Sequence, residues 1–165
     1  MRLDPERLKL TAGFMARFLL LSLILYPLLG ILDLRPALSL LALSLLHFLP
    51  LFGWKVGLES EILKVNGMPF ILKPECLSLE ILIFLSVLIL SVPKVRPGYK
   101  LFGLLCCPPL LWFSNLVRIA NLIDIRLRFG SEVALNLHNF YWQFGLIALA
   151  LGLWSLWLFS TPREK

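Results

Sequence analysis

Residues 61–92 read EILKVNGMPFILKPECLSLEILIFLSVLILSV, and the stretch changes character half-way along. Its first part mixes charged and apolar residues around Asn66-Gly67. That pair suits a two-residue type I′ turn, because both residues tolerate positive φ. A small β-hairpin lying on a membrane surface is therefore predicted, with an irregular loop as its alternative. Beyond Glu80 no charge occurs through Val92, and an apolar run of that kind reads as a membrane helix. Pro74 cannot continue a helix from upstream, so the helix is expected to open near Cys76. A thiol at a helix N-terminus meets free amides and the positive end of the dipole, which favour the thiolate.

The same alternation of apolar blocks and short polar joints runs through the whole chain. It has 165 residues, 59% of them hydrophobic, where a soluble domain carries about 45–50%. The mean hydropathy is +0.85. The expected fold is an all-α integral membrane bundle of about five transmembrane helices with the small extracytoplasmic hairpin, in one domain over 1–165. The spans are read at about 13–32, 37–54, 76–92, 101–123 and 132–159. Pro108-Pro109 should kink or break the fourth. Ser131 looks like the N-cap of the fifth, with Glu132 in its first turn. Phe140, Tyr141 and Trp142 would form one interfacial aromatic belt of that helix and Trp154 and Trp157 the other.

The net charge of +6 does not point to nucleic acid, since Lys and Arg fall mostly between apolar blocks, where they meet lipid headgroups. The basic joint Pro93–Lys100 and the basic C-terminal tail favour a cytoplasmic position for both. The other ends of the spans then face outward, although the basic N-terminal lead pulls the opposite way. Three scattered cysteines make no disulfide framework, and Cys106-Cys107 reads as packing within an apolar stretch. No CxxC or HExxH pattern occurs, so neither a metal nor another cofactor is expected.

With spans alternating in direction, Cys76, Arg118 and His138 reach the same membrane edge. A thiol, a permanent cation and an imidazole together can carry acyl transfer. Arg118 belongs to the run Asn115-Leu-Val-Arg118-Ile-Ala-Asn121, whose spacing places Asn115, Arg118 and Asn121 toward one face able to hold an oxyanion. His138 can move a proton near neutral pH. Glu80, read as one turn below Cys76, would pair with Arg118 or orient His138. His47 reads as a packing or hydrogen-bonding residue within its span. Each residue also has a plainer reading: a structural cysteine, a snorkelling arginine, an interfacial histidine.

The hairpin ending in Pro-Glu-Cys76, the Asn115-Leu-Val-Arg118 run and His138 opening the last span together resemble the exosortase/archaeosortase family over residues 37–160. The cysteine there is usually followed by Ser-Gly, where this chain has Leu77-Ser78-Leu79. The resemblance implies a sortase-like cysteine transpeptidase of the cell membrane with its active site outside. It implies Cys76, Arg118 and His138 as catalytic residues. The implied substrates are proteins tailed by a C-terminal sorting signal, passed to a membrane anchor, a lipid or another acceptor. The competing class is a small transport subunit or assembly scaffold with Arg118, Glu80 and His138 lining a polar path.

Overall fold

A computed structural model of the protein describes residues 4–59, 62–140 and 144–162, with the backbone alone at 138–140. Six α-helices are described: α1 (Pro5–Leu29), α2 (Arg35–Phe48), α3 (Leu79–Ser91), α4 (Pro97–Phe129), α5 (Ser131–Phe140) and α6 (Leu146–Ser160). A 3-10 turn, Leu49–Phe52, extends α2, and another, Pro74–Leu77, precedes α3. Between those turns lies a sheet of three short strands, β1 (Val56–Glu59), β2 (Ile62–Val65) and β3 (Met68–Ile71).

Among the described residues three helical segments are long and apolar enough to cross a membrane: Pro5–Leu29, Arg35–Phe52 and Pro97–Phe129. The remaining apolar helices are shorter. α3 has 13 residues and α6 has 15, or about 20 and 22 Å at 1.5 Å per residue, against a hydrocarbon core of about 30 Å. The third expected span thus begins at Leu79, not Cys76. The stretch expected as a single fifth helix appears as α5 and α6 on either side of residues 141–143. Tyr141 and Trp142 of the expected aromatic belt lie outside the described residues, as does the Phe140 side chain. The double proline does not end α4, which runs 33 residues through Pro108 and Pro109. Each proline removes one amide donor, a loss that membrane helices tolerate where neighbouring groups re-satisfy the backbone.

The chain forms two compact units, each assembled from separated segments. Unit 1 comprises 1–32, 80–111 and 146–165. Glu6 at the start of α1 pairs with Lys94 at 2.9 Å. Phe18 meets Phe84 edge-on, and Phe14 lies 6.3 Å from Trp154. Tyr26 donates its hydroxyl to the Glu80 carbonyl, and Lys100 donates to the carbonyl of Leu90 near the end of α3. Trp157, expected in an interfacial aromatic belt, is only 5% exposed and donates its indole N–H to the Tyr99 carbonyl at 3.0 Å. Gly103 permits that approach, since a Cβ there would stand 2.6 Å from the indole nitrogen. Leu19, Leu20, Leu23 and Ile24 of α1 are exposed and give this long apolar helix an apolar outer face.

Unit 2 comprises 33–79 and 112–145. Its core is one cluster in which Leu41, Leu45 and Leu49 meet Leu63, Val65 and Phe70 of the sheet, Leu77, and Leu116, Ile119, Ala120 and Ile123 of α4. The α4 residues recur at the i, i+3, i+4, i+7 spacing of a buried helical stripe. The predicted hairpin is β2–β3, with Asn66 and Gly67 at φ 50° and 83°, as its turn requires. The sheet gains a further strand, β1, antiparallel to β2 with Val56 opposite Val65. Asn66 closes it, its amide donating to the Lys55 carbonyl and its side-chain oxygen accepting from the Lys55 amide. Arg126 stacks 4.7 Å above the Phe70 ring, tying the sheet to α4.

Gly103→Ala should displace the Trp157 indole and break its bond to Tyr99. The expected loss is about 1–3 kcal/mol for overpacking a filled site. Thermal unfolding in detergent, with Gly13→Ala as an open-space control, measures it.

Candidate functional site

Two of the three residues proposed for chemistry, Cys76 and Arg118, have described side chains, and both belong to unit 2. Cys76 does not open a helix. It lies in the 3-10 turn Pro74–Leu77, followed by Ser78 in the left-handed conformation, and α3 starts only at Leu79. The expected stabilisation of a thiolate by the α3 N-terminus is therefore corrected, because Ser78 turns the chain before the helix begins. The Cys76 amide instead donates to the Lys73 carbonyl at 2.8 Å. Its half-buried side chain packs against the unit 2 core.

Arg118 projects from α4 and is 7% exposed. One turn earlier on the same helix, Asn115 is 1% exposed. Its side-chain nitrogen donates to the Cys76 carbonyl at 2.8 Å, and its oxygen accepts from the Ser78 hydroxyl at 2.9 Å. Asn115 was expected to face a substrate oxyanion; it holds the backbone of the cysteine. Ser78, itself 1% exposed, was not anticipated from sequence. Its signal was a small polar residue two positions after the cysteine, just ahead of Leu79-Glu80 and the long apolar run.

The other supporting residues fall elsewhere. Each step of three residues stops about 60° short of a full helical turn, so the face drifts from Asn115 through Arg118 until Asn121 is exposed. Glu80 is exposed and belongs to unit 1; with Cys76 outside α3, the one-turn relation between them does not exist. His138 lies on the α5 backbone within unit 2, and its side chain is outside the described residues. His47 bonds its own helix, with Nδ1 2.8 Å from the Leu43 carbonyl. Among the described residues no group of three His, Cys, Asp or Glu side chains could hold a metal ion.

A half-buried thiol on a turn pinned by a buried amide, in the same unit as a buried guanidinium, suits a nucleophile with an electrostatic partner. No family model, curated protein or solved structure matches the chain.

Asn115→Ala should leave the Cys76 carbonyl and the Ser78 hydroxyl unsatisfied in a buried site, at a cost of about 1–3 kcal/mol for each group. Asn121→Ala should change stability by less than about 0.5 kcal/mol, as at most exposed positions. Thermal unfolding of the two variants side by side separates the buried amide from the exposed one.

Proposed function

We propose that the protein is a membrane cysteine transpeptidase of the exosortase/archaeosortase type. The observation that supports it best is that Asn115, one turn from the buried Arg118 on α4, bonds the Cys76 carbonyl, which joins cysteine and arginine to one helix in one compact unit. Burying a guanidinium is costly without a role, and a thiol in the same unit gives it one. In this reading the chain crosses the cell membrane about five times, with the shorter helices locally thinning the bilayer. The site faces the extracytoplasmic side.

The proposed reaction begins when His138 takes the thiol proton and the Cys76 sulfur attacks a backbone carbonyl of a membrane-tailed protein. A tetrahedral oxyanion forms, and the Arg118 guanidinium stabilises it. The C–N bond breaks, His138 returns its proton to the leaving amine, and a thioester joins substrate to Cys76. An acceptor nucleophile, a lipid or another membrane anchor, then loses its proton to His138 and attacks the thioester. The C–S bond breaks, His138 returns that proton to the Cys76 sulfur, and the transferred chain leaves on the acceptor. The sorting signal and enzyme share the plane of the membrane, which supplies much of the orientation.

Processing of a membrane-tailed reporter in cells, with variants at matched protein level, tests the reading. Cys76→Ala should abolish conversion, because no other group forms the acyl intermediate. Arg118→Lys should fail as well, since an ammonium lacks the planar fork of donors. His138→Ala should lose at least about a hundredfold, the usual contribution of general acid–base catalysis. A Cys76→Ala variant that processes like wild type would remove the transpeptidase and leave the transport or scaffold class.

A further inference from the structure

We infer that Ser78 is a positioning residue for the Cys76 nucleophile, acting through the amide of Asn115. The inference rests on the transpeptidase reading for its catalytic meaning. The clamp itself is read from the hydrogen bonds.

Asn115 spans two points of one turn. Its nitrogen donates to the Cys76 carbonyl, and its oxygen accepts from the Ser78 hydroxyl. An asparagine amide has a donor end and an acceptor end of nearly equal size. A carbonyl can only accept, so the Cys76 oxygen requires the nitrogen end. A reversed amide would set two acceptors against each other. The Ser78 hydroxyl then supplies the donor that the buried amide oxygen needs. Accepting at its oxygen also strengthens the amide as a donor.

The backbone explains why a serine stands here. Ser78 has φ 55°, a left-handed conformation that is strained for a non-glycine residue. Glycine would make the same turn with less strain. It would carry no hydroxyl, and the hydroxyl is the group the buried amide engages. Strain of this kind persists where surrounding contacts over-determine the conformation.

The consequence falls on Cys76. Its amide donates to Lys73 and its carbonyl accepts from Asn115, so both of its backbone polar groups are fixed. Asn115 and Arg118 are one turn apart on α4. The helix that carries the clamp therefore also carries the cation, and the clamp sets how far the Cys76 sulfur stands from the guanidinium. Misplacing a reacting atom by about 1 Å costs on the order of a hundredfold in rate.

The test uses the full-length protein in lipid nanodiscs, with alkylation by a small maleimide followed peptide by peptide in the mass spectrometer. Ser78→Gly keeps the turn and removes the hydroxyl. It should speed Cys76 alkylation roughly tenfold by releasing the turn, while Cys106 reacts at its wild-type rate. Asn115→Asp, which accepts from Ser78 but cannot donate to Cys76, should act alike. The double variant should react no faster than the faster single, since both remove one clamp. Processing should fall by about a hundredfold in kcat with KM nearly unchanged. Cys76 alkylation at the wild-type rate in Ser78→Gly, or multiplying effects in the double variant, would overturn the clamp. Loss of processing in wild type would overturn the transpeptidase and leave the alkylation result to decide the clamp.

Discussion

The buried amide of Asn115 is the constraint on which the site depends. A polar side chain at 1% exposure survives only when its hydrogen bonds are made. This one makes them to two residues of a single turn, Cys76 and Ser78. It fastens the segment leaving the sheet to the middle of α4. The α4 stripe of Leu116, Ile119, Ala120 and Ile123 packs into the cluster shared by α2 and the sheet. Polar and apolar anchoring therefore come from adjacent faces of one helix. Removing the amide would leave the apolar packing in place but free the turn that carries the thiol.

Arg118 gains its meaning from the same geometry. A guanidinium at 7% exposure, in a helix long and apolar enough to cross a membrane, is expensive to maintain. It shares one compact unit with Cys76, and in the proposed chemistry it is the partner of the nucleophile. The sheet lies directly upstream, and its strand β3 runs into the turn through Leu72 and Lys73. Arg126 over Phe70 ties that sheet to the C-terminal half of α4, where Arg118 resides. Sheet, turn and cation are thus held by one helix.

Much of this was legible in the residues. Asn66-Gly67 announced its turn because few sequences tolerate two positive φ values in succession. The apolar blocks announced helices, and the Asn115-to-Arg118 spacing announced a shared face. β1 was not legible: four residues interrupted by Gly57 show no alternation, and the strand exists by pairing with β2. The start of α3 was misplaced by three residues. Pro74 permits either a helix or a 3-10 turn, and the left-handed Ser78 that decides between them is set by Asn115, far away in sequence. Trp157 looked like an interfacial aromatic because its partner, the Tyr99 carbonyl, leaves no trace in composition.

The most direct measurement of the central claim is the intact mass of the protein after reaction with a membrane-tailed substrate, with the modified peptide then located. The account predicts an added mass equal to the upstream substrate fragment, carried on Cys76 as a thioester that hydroxylamine removes. Substrate cleaved without any adduct on Cys76, or with the adduct on Cys106 or Cys107, would contradict it.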